Sequence, residues 1–310
     1  MTKIAAAVAA CAIASSAGFA ASVLSEWNVI VRNNIHGTSE VDGSALVGGN
    51  VTGATNYAVQ GVTASNGDGL ALGGNIAAGI NVQINNGGNL RIAGSVLGNA
   101  NINGGMQIND AGVHSMVTNA LNSVVALQSS LRNLASNSTL GNGGNLNANP
   151  VVMDGFKVAV FSITASDLNG LGQLNLNMNG ADTVIINVGA DQNGVVSFNA
   201  PPNFVGGLTQ SNSAKILWNL YDASKVIVNN NFNGSILAAD ADLELIGGGI
   251  NGAVVVDNIS KLNAEIRRNT YNGWLPPPEE DDTPIVPLPG AGALGVAGLA
   301  IVGARRRRSC

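Results

Sequence analysis

The sequence predicts a mostly β protein, a right-handed β-solenoid (β-helix) with one long amphipathic helix packed on its flank. Three observations point there. Short apolar runs closed by Asn, Asp or Gly recur along most of the chain. The composition is rich in glycine and aliphatic residues and poor in charge and aromatics. A single stretch switches its hydrophobic period from two residues to three and four. Of 310 residues, 41 are glycine; hydrophobic residues make up 45%, charged residues 11% and aromatics 4%. Such a balance suits many tight turns around stacked aliphatic side chains, and it excludes disorder, which needs low hydrophobicity and high charge. A β-sandwich is the runner-up, since it would more often show longer strands and more aromatics.

Residues 1–20 read as a secretory signal peptide. Lys3 precedes the apolar stretch Ile4 to Ala14, and the small-residue cluster that follows sets cleavage after Ala20, with Gly18 in the other small position. The two cysteines, Cys11 and Cys310, fall in the terminal segments, so neither a disulfide framework nor a thiolate site is expected in the mature domain. Lys3 and Arg305 to Arg308 also belong to the ends, leaving 9 of the 14 basic residues against all 19 acids between them. A surface of that sign repels nucleic acid and is compatible with divalent cations or plain solubility.

The domain proper is expected over 21–270. From Asn28 to Ile108, GSALVGGN, GLALGGN and NGGNLRIAG repeat one theme at irregular intervals, with Gly-Gly-Asn beginning at Gly48, Gly73 and Gly87. Alternation at Ile80, Val82, Ile84 and at Leu90, Ile92 gives strands with one buried face. Glycine at the corners permits positive φ, and asparagine tolerates the left-handed region. Between Gly112 and Leu134 the apolar residues Val113, Val117, Leu121, Val124, Leu127, Leu131 and Leu134 recur at helical spacing. Asn119, Asn122, Ser123, Gln128 and Ser130 take the other side, with Asp110 as N-cap. Residues 136–150 read as an Asn/Gly-rich loop. A second β run follows, with Phe156 to Ile163, Leu174 to Asn179 and Thr183 to Val188 as strands. Its alternating Asn175, Asn177 and Asn179 are suited to a side-chain ladder between neighbouring turns. Asp191 to Gly194 reads as a turn. The last part, 215–256, divides into the runs Lys215 to Trp218, Lys225 to Val228, Ser235 to Ala238, Leu243 to Ile246 and Ala253 to Val256, with Trp218 as core or stack cap.

Candidate chemistry is sparse. Asp240, Asp242 and Glu244 alternate and so project from one face of a strand: a solvated face, a calcium site, or a carboxylate pair for glycan cleavage. His36 and His114 have no His or Cys partners for zinc or copper. Neither a phosphate-binding glycine loop at a strand-to-helix junction nor a Gly-x-Ser-x-Gly elbow occurs. The scarcity of aromatics argues against a deep sugar cleft.

After residue 270 a Pro- and acid-rich linker is expected over 271–284, then a terminal segment over 285–310. Ile285 to Ala304 is long enough to span a bilayer, and Arg305, Arg306, Arg307 and Arg308 would remain cytoplasmic.

Two family resemblances follow from these motifs. ILWNLYDASKV, GSILAADADLEL and GGGINGAVV, together with NVIVRNNIHGTSEVDGSALVGGNVTG near the start, resemble the choice-of-anchor A domain of bacterial surface proteins. Ala239 stands where that family usually has the Pro of an L-A-P step. Val286-Pro287-Leu288-Pro289, the apolar stretch and the arginines resemble the VPLPA variety of PEP-CTERM sorting signal. The resemblances imply an adhesive β-helical domain without catalytic residues, exported from a Gram-negative bacterium and transiently anchored in its inner membrane. They imply processing by an exosortase-type membrane protease and residence on the cell surface or in the extracellular matrix, where glycans or surface proteins would be partners. A plain tail anchor, a β-helix polysaccharide-degrading enzyme and an ice-binding-type surface protein remain as alternatives. The Thr residues are too scattered for the regular array that ice binding needs.

Overall fold

In the computed structural model residues 23–199 and 202–277 are described. The expected signal peptide with Ala20 and the expected sorting signal with Val286, Pro287, Leu288, Pro289 and Arg305 to Arg308 lie outside them, as does the expected membrane span. Among the described residues no helix is long and apolar enough to cross a membrane.

The strands pair almost entirely in parallel, each with the strand one turn away, which makes the fold a β-solenoid rather than a sandwich. Its turns do not follow chain order. Along one long sheet the strands succeed one another as 107–109, 89–92, 68–72, 45–47, 29–31, 254–256, 236–238, 216–219, 183–189, 156–164 and 151–153. The chain therefore starts in the middle and winds outward to one pole at residues 95–109. It then returns along the flank as the helix Val113–Asn133 and winds back from the other pole until the last turn docks on the first. At that seam Val29, Ile30 and Val31 pair with Val254, Val255 and Val256 on one side and with Ala45, Leu46 and Val47 on the other. Buried Asn28 stitches it. Its Nδ2 donates to the Gly252 and Arg267 carbonyls, and its Oδ1 accepts from the Gly43 N–H.

Inward-facing aliphatic side chains fill the solenoid, among them Val29, Val47, Leu70, Ile84, Val184 and Val254. Trp218 is part of this core: it stacks on Phe204 with centroids 5.5 Å apart and touches Phe198 and Phe232. A second apolar layer lies between the helix and the outward residues of the long sheet, where Val117, Leu121, Val124 and Leu131 meet Ile30, Leu46, Leu217 and Val255. The helix thus covers the flank its periodicity requires.

The structure departs from expectation in several places. Gly49, Gly74 and Gly94 lack positive φ; a Cβ on each would run into the backbone of the preceding turn, so close approach demands glycine there. Gly87 does have φ of 75°, after Asn86 at 54°, and occupies a different corner. Asp110 caps no helix N-terminus in the ordinary sense: it accepts from the Gly112 N–H and pairs with Arg91. Ser123 and Gln128 are buried rather than on the wet side of the helix. Residues 136–150 contain an antiparallel pair, Thr139–Gly141 with Asn145–Asn147. The Ser235 and Leu243 runs form one strand, Ser235–Gly247, that passes over a corner with a register shift between Ala238 and Asp242. The domain also continues past residue 270. Tyr271 and Trp274 are buried in the helix-facing layer because two large aromatics gain more from burial than an extended linker would allow.

Candidate functional surface

Three surfaces hold polar groups in fixed geometry. The first is the acidic strand. Asp242 and Glu244 pair in register with Lys225 and Ile227 on one side and with Asn258 and Lys261 on the other. The alternation that exposes them is the one the sequence shows, but cations from other turns answer it. Glu244 sits between Lys225 Nζ at 2.6 Å and Lys261 Nζ at 2.7 Å. The hydrogen bond from Lys225, then that from Lys261, holds its carboxyl below the ordinary glutamate range. The same bond raises Lys225. Asp242 Oδ2 accepts from the Ser260 hydroxyl at 2.7 Å. Asp240 lies over the corner, 71% exposed, with Arg32 Nη2 at 2.9 Å. The three carboxylates do not converge on one point, and among the described residues no group of three or more acidic, His or Cys side chains is arranged to hold a metal. For acid–base chemistry one carboxyl must be kept protonated near neutral pH, whereas Glu244 is driven the other way.

The second surface is an open cleft of about 780 Å³ between the first half of the helix and the seam, lined by Arg32, Gly48, His114, Thr118, Asn122 and Asp240 among others. Its polar side is occupied by the Arg32–Asp240 pair, and Arg32 Nε lies 3.4 Å from Asp257.

The third is the sheet of strands Glu40–Val41, Asn56–Tyr57, Asn81–Ile84 and Asn99–Ile102. Val82, Ile84, Ala100 and Ile102 point inward, so Asn81, Gln83, Asn99 and Asn101 point out as a two-column array of amides. Asn101 Nδ2 donates to Asn81 Oδ1 at 3.1 Å, and Asn103 Nδ2 to Asn85 Oδ1 at 2.9 Å. Amide pairs of this kind recur on other turns, at Asn175–Asn145, Asn229–Asn199 and Asn251–Asn233. Of the expected ladder Asn175, Asn177 and Asn179, only Asn175 joins an amide on the next turn: Asn177 Oδ1 accepts from the Asn179 N–H, and Asn179, in the turn after the strand, donates to the Ala148 carbonyl. At the Gly-Gly-Asn corners the amide carbonyls are used up internally: Asn34, Asn50 and Asn75 accept from the backbone N–H of Asn50, Asn75 and Ser95. His36 bonds Thr52 beside them.

A buried clasp that local sequence did not single out joins helix and solenoid. Gln128 Nε2 donates to the Leu237 carbonyl and Asn219 Oδ1, its Oε1 accepts from the Ala239 N–H, and Asn219 Nδ2 donates to the Gln128 carbonyl and Asn187 Oδ1. The N–H that Ala239 offers here is one a Pro would lack. The only sequence signal was a Gln within reach of the helix's apolar stripe.

No curated protein matches the sequence. Among solved structures, an ice-binding protein from the Antarctic ascomycete Antarctomyces psychrotrophicus is similar, at 12% identity and a TM-score of 0.30, over 79% of this chain and 94% of that one. An ice binding protein from an Antarctic biological consortium is similar at 16% identity and a TM-score of 0.31, over 78% of this chain and 86% of that one. The family described as "Putative Ice-binding-like adhesive domain" matches residues 20–268. That match takes in every strand named above and the long helix, and the chain belongs to this ice-binding-like adhesive domain family.

Proposed function

We propose that the protein is an exported, non-enzymatic adhesive domain of the cell surface or extracellular matrix, and that the amide array is its contact face. The array of Asn81, Gln83, Asn99 and Asn101 carries the reading. Each amide offers a donor and an acceptor at a position fixed by a parallel strand, which suits hydroxyl-rich matrix glycans or the polar backbone of a surface protein. A rigid scaffold loses little conformational entropy on binding, so many weak contacts add usefully. Family membership supports the surface role. Export by the leader ending at Ala20, recognition of Val286 to Pro289 by an exosortase-type membrane protease, and a brief stay in the inner membrane of a Gram-negative cell with Arg305 to Arg308 inside belong to the same proposal and rest on the sequence motifs.

The test is a deletion strain complemented either with the wild-type gene or with an Asn81→Ala, Asn99→Ala, Asn101→Ala variant. Wild type restores attachment and matrix, and the variant is exported but restores neither. Normal attachment in the deletion strain would remove the proposal.

A further inference from the structure

The pole formed by residues 95–109 is built unlike the rest of the solenoid. Asn99–Ile102 pairs with Asn81–Ile84 and Gln107–Asn109 with Asn89–Ile92, and among the described residues neither has a partner on its outer side. Val96 bridges Ile76, and the ladder stops there too. One turn inward Ile76, Val82 and Ile84 are fully buried, whereas Val96, Ala100 and Ile102 are only half-buried. Leu97 and Met106 stand 60% and 63% exposed. Gln107 and Asn109 lie in register over the core residues Leu90 and Ile92 and close part of the opening with an amide–amide bond of 2.9 Å. Natural β edges are ordinarily protected by charge, by proline or by a covering element. Here no charged residue and no proline occurs between Arg91 and Asp110; Arg91 is held by buried Asp68 at 2.6 Å and by Asp110 at 2.8 Å, so that cluster's charges are tied up one turn inward of the edge.

We propose that this pole is a self-association edge, taken by the same pole of a second copy across a two-fold axis, with the edge strands of the two copies antiparallel. The β ladder then continues from one solenoid into the next. Charge selects this occupant. Copies bearing a surplus of acids repel one another over most of their surface, and they meet without like-charge repulsion at this uncharged end. Chemistry selects it as well, because an isologous contact sets Gln107 and Asn109 against their own kind, and an amide is complementary to an amide. Position makes the pole available. The chain leaves the domain at the opposite pole, where the Trp274 N–H groups are held by Thr183 and by Asp154 next to the terminal strand Val151–Met153. The last described residues therefore lie away from the pole at 95–109. The inference stands whether or not the amide face holds a ligand.

Sedimentation velocity of the full chain in mild detergent, across a concentration series, tests it. Wild type is expected to show a reversible monomer–dimer equilibrium. Leu97→Lys and Met106→Lys, each a single variant at a side chain already exposed, are expected to weaken it at least tenfold, while Val152→Lys at the other pole leaves it unchanged; either edge variant suffices if the other does not fold. Wild type that stays monomeric at every concentration overturns the proposal, including the case in which the chain's own tail caps the edge. So does a dimer indifferent to both edge variants, or growth beyond a dimer that Val152→Lys abolishes, which would be head-to-tail stacking.

Discussion

Asn28 is the side chain on which the seam between first and last turn most depends, and Asn28→Ala measures it. Three hydrogen bonds disappear, to Gly252 O at 3.0 Å, Arg267 O at 3.1 Å and Gly43 N at 2.9 Å. Each is worth about 1 kcal/mol net. Two of them are buried, so the Gly252 carbonyl and the Gly43 N–H lose a partner where water does not easily replace it, at roughly 1 kcal/mol more in total. The Cβ is retained, so little cavity is added. The expected loss is about 3–5 kcal/mol, above the usual run of point substitutions. Equilibrium urea unfolding followed by tryptophan fluorescence and by far-UV circular dichroism reads it as a lower midpoint with an unchanged slope. A loss below about 1 kcal/mol would refute the role given to Asn28. Because the seam joins the two halves in one continuous sheet, a single transition is expected, and two separate transitions would show that the halves unfold independently.

Asn219→Ala opens the helix clasp and is expected to cost about 2–3 kcal/mol, since it strands Asn187 Oδ1 and weakens the hold on Gln128 in a buried setting. Hydrogen exchange should show the protection loss concentrated in Val113–Asn133. Gly74→Ala forces a Cβ into the Gly49 carbonyl and should be destabilised by about 3 kcal/mol or more in the same urea assay, although its φ is one alanine tolerates. Glu244 is held below its ordinary range by Lys225 and Lys261. Its folded form therefore favours the carboxylate, and the stabilisation is present at neutral pH and lost as pH falls through the glutamate range; Glu244→Gln should flatten that part of the stability–pH profile. In Asp240→Asn, Asp242→Asn the midpoint should be unmoved by calcium, as in wild type, because the three carboxylates do not share a centre.

How much of this was legible in the sequence depends on how local each cause is. The inward sets at Ile80 to Ile84 and Leu90 to Ile92, the helix and its covering role, and the amide ladders follow from period and composition, which any short window contains. The seam does not: Val29 and Val254 are ordinary β residues, and only the register reveals that they are neighbours. Gly48 and Gly73 stack at one corner, whereas Gly87 begins the same tripeptide yet sits at another, because turn length varies and identical residues then meet different backbones. The acidic row alternates as its spacing requires, but Arg32, Lys225 and Lys261, which decide what the row can do, come from three other strands or corners. Polarity alone puts Gln128 on the wet side, whereas its spacing, four residues after Val124 and three before Leu131, puts it within the apolar stripe, where the amide of Asn219 faces it.

The central claim is that the amide array, and not the acidic strand, contacts the protein's target. Binding of the purified protein to an immobilised panel of matrix glycans and surface proteins, with and without calcium, tests it most directly. The account predicts saturable, calcium-independent binding that Asn81→Ala, Asn99→Ala, Asn101→Ala abolishes and that Asp240→Asn, Asp242→Asn leaves intact. Binding that survives the amide variant and is lost in the acidic one, or release of sugar from any glycan on the panel, would contradict it.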